Sequence, residues 1–166
     1  LSQNTFQSSD LSNADFKGAD LSAAVFTGSD LTNADFTGAD LSAVIFSGNT
    51  IRNIDFTNAD LTGADFTGSD LSAAPKIASA LNLSDAIFNH SDLSGLDFSD
   101  LDLTYLVIDS ADLSGSDFTH ADLTGAVFVN TDLSVTPSIT AANNLNLVSF
   151  QGVDLSGLDF SSNDLS

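Results

Sequence analysis

A five-residue beat runs through almost the whole chain and limits its fold more than any other feature. The centres of the beat begin Leu1, Phe6, Leu11, Phe16, Leu21, Phe26, Leu31, Phe36 and continue in step through Leu71. A small residue stands two before each centre, Asp usually one before, Ser or Thr usually one after, and often Gly two after. The stretch from Ala14 to Gly28 shows the pattern. A helix turns about 100° per residue, so a five-residue period scatters its apolar positions around the surface. A plain strand fails as well, because five is odd and successive centres would alternate faces. The pattern suits a chain that turns a corner every five residues and returns each centre to a fixed column on every coil.

The residues around the centres agree with corners at that spacing. All 11 Gly fall two residues after a centre, where a corner with positive φ favours Gly. All 13 Phe are centres. The acidic residues are Asp throughout, with no Glu, a choice that disfavours helix interiors. With 42% hydrophobic residues spaced this regularly, the chain has a core to bury, so its high charge does not read as disorder.

The small–Asp–Leu/Phe–Ser/Thr–Gly pattern resembles the pentapeptide-repeat family over nearly the whole sequence. The resemblance implies an all-β fold, a right-handed quadrilateral parallel β-helix with four pentapeptides per coil and about eight coils. It also implies that the centre and the small residue two before it point inward. Leu21, Leu41 and Leu61 would form one core ladder, and Phe26, Phe46 and Phe66 another. The residue just before each centre would point outward.

Two interruptions of equal length break the beat, Leu71–Leu83 and Leu133–Leu145, with Pro75 and Pro137, and Ile77 and Ile139, at matching places. Each spans 12 residues from centre to centre, where two pentapeptides span ten. They are expected to bulge one wall of two coils outward (72–82 and 134–144), with Ile77 and Ile139 plugging the core. Because the register survives both, a single domain over 1–166 is expected, continuing or stacking beyond both ends.

With 22 residues in each interrupted coil, one wall collects Phe6, Phe26, Phe46, Phe66, Phe88, Ile108, Phe128 and Phe150. The residues before them are Thr5, Val25, Ile45, Asp65, Ile87, Val107, Val127 and Ser149. Elsewhere this position is almost always Asp; only Asp85, Asp100 and Asp109 lie at other positions of the repeat. Val25, Ile45, Ile87, Val107 and Val127 therefore form an apolar stripe on one wall, expected to be exposed and to contact another surface. Tyr105, the single Tyr, borders it with Ala23, Ala43 and Leu147 and is the natural anchor.

The other three walls are acidic. The net charge is −20, with only Lys17, Arg52 and Lys76 basic. Coils stack at roughly 4.8 Å, and neighbouring carboxylates at that spacing repel by about 0.9 kcal/mol in water before screening. Loosely bound cations, high ionic strength or raised pKa values are the expected relief. Such a charge disfavours direct contact with nucleic acid or anionic membranes. About eight coils make a rod of about 40 Å, a charge density close to the one per about 1.7 Å of duplex DNA. Since the resemblance extends to relatives that mimic DNA and bind gyrase, a DNA mimic occupying a topoisomerase- or gyrase-type groove is the alternative reading.

Little in the sequence points to catalysis or a cofactor. There is no Cys, and His90 and His120 are turn residues 30 apart without Cys or Glu partners. No Asp-x-Asp-x-Asp-Gly calcium loop occurs, and the Gly fall one per repeat rather than in a phosphate loop. No apolar run approaches the roughly 20 residues of a membrane span. The sequence starts without Met, which fits a processed chain or a piece of a longer repeat protein. The missing Cys, abundant Asp and absence of end caps point toward an extracellular or envelope setting. The expected function is a non-catalytic structural or interaction module, a rigid acidic rod that contacts itself or another protein.

Overall fold

In the computed structural model, which describes residues 1–49, 51–74 and 77–165, each pentapeptide supplies one short wall segment and one corner. Parallel bridges join each wall position to the one a coil later, as in Asp15↔Asp35↔Asp55 and Asp20↔Asp40↔Asp60. Every backbone N–H of a regular repeat has a defined destination. The N–H two before the centre closes the corner, as Ala24 N does on Leu21 O at 2.9 Å. The pre-centre N–H donates to the coil below (Val25 N to Asn4 O, 2.9 Å) and the centre N–H to the coil above (Phe26 N to Ile45 O, 2.8 Å). The corner N–H also donates upward, as Ala23 N does to Ser42 O at 2.8 Å. Only the N–H one after the centre lacks a carbonyl in this scheme, and Asp supplies its acceptor, as described below. The result is a right-handed parallel β-helix.

The first wall carries Phe6 through Phe150, the second Leu11 through Leu155, the third Phe16 through Phe160, and the fourth Leu21 through Leu145. Leu21, Leu41, Leu61, Phe26, Phe46 and Phe66 are fully buried in one core that also takes the inward small residues, such as Ala24, Ala64 and Ala86. Phe rings on one wall stack face to face, Phe26 on Phe46 at 5.3 Å and Phe46 on Phe66 at 5.2 Å. Rings on the facing wall meet them edge-on, Phe36 with Phe46 at 5.8 Å. Both geometries are favoured for aromatic pairs. Buried hydroxyls at inward positions take carbonyls that the ladder leaves available: Ser29 Oγ donates to Phe6 O (2.6 Å), Ser69 to Phe46 O (2.9 Å) and Ser91 to Phe66 O (2.7 Å).

The two interruptions are short 3-10 turns, Ile77–Ser79 and Pro137–Ala141. Ile77 and Ile139 are fully buried in the third-wall column, opposite the apolar stripe. Pairing resumes two residues late on the far side, Asp60 with Asn82 and Asp122 with Asn144. Pro75 and Lys76 lie outside the described residues. On the first wall three strands reach full length: β1 (Val107–Asp109), β2 (Val127–Val129) and β3 (Ser149–Gln151), in parallel order β1-β2-β3. Their β-branched residues suit a pleated wall.

A candidate interaction surface

The three acidic walls owe their Asp to the turn rather than to charge. Asp40 Oδ1 accepts the Ser42 N–H (3.0 Å) and the Ser42 hydroxyl (2.6 Å); Asp55, Asp60, Asp117 and Asp122 hold the Thr two residues on in the same way. This is an Asx turn, and the extra methylene of Glu would displace the acceptor. The Asp-x-Ser/Thr spacing was visible in the sequence as a turn signal that an outward, solvated reading of Asp passes over. The same bonds commit the Ser and Thr hydroxyls to the chain.

At Asp10, Asp20, Asp30 and Asp35 the expectation of raised carboxylate pKa values is overturned. Hydroxyl bonds from Ser12, Ser22 and Thr32 hold Asp10, Asp20 and Asp30 below the ordinary range. For Asp30 the repulsion from Asp10 is a smaller, opposing effect. Asp35 is lowered to about 2, chiefly by the Thr37 hydroxyl, with Lys17 Nζ also 2.9 Å from its Oδ2. Hydrogen bonds to the charged form win because they are direct, whereas a neighbouring carboxylate acts across solvent. Asp10, Asp20, Asp30 and Asp35 are thereby held in the ionised form.

The first wall follows the register expected of it, Thr5↔Val25↔Ile45↔Asp65↔Ile87↔Val107↔Val127↔Ser149. Val25, Ile45, Ile87, Val107 and Val127 are half-buried, not open as expected, because the coils above and below cover each side chain. Asp65, with its own Asx turn to Thr67 N (2.9 Å), divides the stripe into Val25–Ile45 and Ile87–Val127. The corner leading into this wall, the column Gln3, Ala23, Ala43, Gly63, Asp85, Tyr105, Gly125, Leu147, is exposed except at Gly63 and Gly125, which are half-buried. All eight have positive φ, +58° at Tyr105 and +60° at Leu147. Tyr105 is 57% and Leu147 70% exposed. A Cβ on Gly125 would lie 2.7 Å from the Tyr105 ring, so that ring covers Gly125 and reaches toward Leu147. Sequence reasoning had placed Tyr105 and Leu147 on this border; it missed the ring over Gly125, for which no sequence signal existed.

Other polar groups are dispersed. His120 Nδ1 stands 3.5 Å from Asp100 Oδ1 on an exposed corner, and His90 occupies a corner of the first wall. Among the described residues no group of three or more His or Asp is arranged to hold a metal ion, and no helix is long and apolar enough to cross a membrane. A shallow open depression beside the second wall is lined by Asp112, Asp132, Asn130 and Val135.

Five-residue wall segments, left-handed corners and stacked Leu and Phe columns define a repeat solenoid of the quadrilateral β-helix class. The pentapeptide-repeat family model matches in eight copies over residues 9–48, 50–74, 82–119 and 108–134, and the chain belongs to that family. No curated protein matches it. Among solved structures it is similar to full-length QnrB1, a plasmid-mediated fluoroquinolone resistance protein, at 22% identity and a TM-score of 0.46, covering 98% of this chain and 82% of that one. HetL, a pentapeptide repeat protein involved in heterocyst differentiation regulation from the cyanobacterium Nostoc sp. strain PCC 7120, aligns at 22% identity over 98% of this chain and 87% of its own, with a TM-score of 0.26. A pentapeptide repeat protein of the Arabidopsis thaliana thylakoid lumen aligns at 29% identity over 72% of this chain and 68% of its own, with a TM-score of 0.29.

Proposed function

We propose that the chain is a non-catalytic interaction module, a rigid acidic rod whose first wall holds a second copy of itself or scaffolds another protein. The observation that carries this reading is the contrast between walls. Three walls present Asp, while the first presents Val25, Ile45, Ile87, Val107 and Val127 beside the exposed Tyr105 and Leu147. Apolar surface collected on one face of a highly charged molecule is the usual mark of contact.

Asp65 makes the reading testable without unfolding the rod, since that column already accepts an Asp with its own turn. Val25→Asp together with Val107→Asp should therefore fold while placing charge on both halves of the stripe. In the self-associating form, sedimentation velocity of the wild type shows association that the double variant loses. Association unchanged by the pair would sink the role of the wall, and a strictly monomeric wild type would count against the self-associating form.

A second reading draws on the carboxylates of the other walls, which are spaced coil by coil along the rod. They support a DNA mimic that occupies a basic groove of the gyrase type. Inhibition of gyrase supercoiling by the pure protein tests it, and no inhibition retires it.

A further inference from the structure

Bulky side chains are costly in the left-handed region, where Cβ crowds the following carbonyl by roughly 1–2 kcal/mol. This chain meets that cost at most corners with Gly, Asn, Ser, Asp or another small or polar residue. Tyr105 and Leu147 break the pattern as two large apolar residues with positive φ. Neither recovers the cost through burial, because both are mostly exposed. Strain of this kind persists where the surroundings hold it, and it concentrates at binding surfaces. Here Tyr105 N donates to Thr124 O at 2.9 Å, which pins the corner to the next coil.

The two residues form one feature. Gly125 lies between them in the column, and only Gly leaves room for the Tyr105 ring to lie across it. The ring thus covers the one corner that separates Tyr105 from Leu147 in the column. On the wall side the ridge leads to Val107 and Val127 of the β1-β2 ladder, which are half-buried. Carboxylates border it at Asp85, one coil earlier on the same corner, and at Asp109 across β1. Asp109 is held ionised by bonds from the Ser110 hydroxyl (2.7 Å) and the Asn130 amide (3.2 Å). Lys17 and Arg52 are on other walls, Lys17 being paired with Asp35.

We infer that the Tyr105–Gly125–Leu147 ridge, with Val107 and Val127 beside it, is the docking site, and that its occupant is a different protein presenting an apolar segment flanked by Lys or Arg. This rests on the interaction reading above and narrows it. A second copy brings the same −20 charge and the same carboxylate rim against this face, whereas a basic rim complements it. A Tyr ring at the centre also accepts a cation over its face.

The protein carries its own probe, since Tyr105 is the single Tyr and there is no Trp. Intrinsic Tyr emission therefore reports on the ridge alone. The full chain is titrated with a short synthetic peptide alternating Val and Lys, and in parallel with peptides alternating Ser and Lys or Val and Glu. The Val/Lys peptide is expected to change the Tyr105 emission and bind measurably, more weakly as salt rises, while the other two bind at least tenfold more weakly. Leu147→Asn, which suits positive φ, should keep the fold and weaken Val/Lys binding by about tenfold or more. Equal binding of Ser/Lys, no binding of Val/Lys, or binding indifferent to Leu147→Asn would each overturn the ridge. Binding indifferent to Leu147→Asn but lost in the Val25→Asp, Val107→Asp variant would overturn the ridge while keeping the wall. Binding indifferent to all of these would overturn both.

Discussion

Replacing Asp60 separates the two things an acidic residue can do in this fold. Asp60 sits in the fourth wall between Asp40 and Asn82, and its Oδ1 accepts the Thr62 N–H at 3.0 Å and the Thr62 hydroxyl at 2.6 Å. If the turn is what matters, Asp60→Asn should be nearly neutral. The amide keeps an acceptor in place, and Asn and Asp are equivalent to within a few tenths of a kcal/mol in the analogous helix cap. The lost charge also relieves repulsion from Asp40 of about 0.9 kcal/mol at most before screening. The chain performs this substitution itself: Asn82 Oδ1 accepts Ser84 N at 2.9 Å and Asn144 Oδ1 accepts Asn146 N at 3.1 Å. Asp60→Ala removes both bonds and should cost about 1–2 kcal/mol. Asp60→Glu keeps the charge but moves the acceptor a methylene away, and should cost about as much as Ala. Solenoids unfold through nearest-neighbour units, so a local readout is preferable to a global melt alone. Amide hydrogen exchange at Thr62 should accelerate in the Ala and Glu variants and stay near wild type in Asn, with thermal midpoints in the same order. If Asn proves as damaging as Ala while Glu is harmless, the carboxylate charge is what the fold uses and the turn argument is refuted.

Two further predictions follow from the core and the carboxylates. Phe46→Ala removes a buried ring with stacked neighbours at 5.3 and 5.2 Å and edge-on neighbours Phe36 and Phe56, both at 5.8 Å, so a loss of about 3–5 kcal/mol is expected in urea titration. Phe6→Ala, at a half-buried ring in the first coil, should cost clearly less, and equal losses would contradict a ladder in which both flanking coils contribute. Acid should weaken the rod. Because the carboxyls of Asp10, Asp20, Asp30, Asp35 and Asp117 lie below their ordinary 3.8 in the folded chain, their contribution is complete above that value and is lost as pH falls through the folded values, for Asp35 toward about 2. Circular dichroism melts are expected to show falling midpoints across that window, partly offset by reduced repulsion between ladders. A midpoint that rises on acidification would mean repulsion outweighs the Asx turns.

Much of the architecture was legible in the residues because the repeat rule is local. A centre every five residues determines which side chains are inward, and the pairing of Val25 with Ile45 or Val107 with Val127 follows from counting. Even the 22-residue coils could be counted, since Ile77 and Ile139 stand where the third wall needs an apolar centre. Hydrogen-bond partners are less readable from a sequence, since most lie a coil away and side-chain acceptors compete for the same donors. The column of Asp was visible, but its reason was not: the carboxylates take the one backbone N–H that the coils leave over, and at Asp10, Asp20, Asp30 and Asp35 the bonds from the residue two on lower the pKa where a ladder of like charges would raise it. The stripe was visible too, but its half-burial comes from coils stacked above and below. The positions of Tyr105 and Leu147 were likewise set by the count of five. Their left-handed backbone, their exposure, and the ring lying over Gly125 come from packing between coils some 20 residues apart in the chain. Sequence periodicity determined the rod and the face of interest; only the stacked structure decided which part of that face stands out from it.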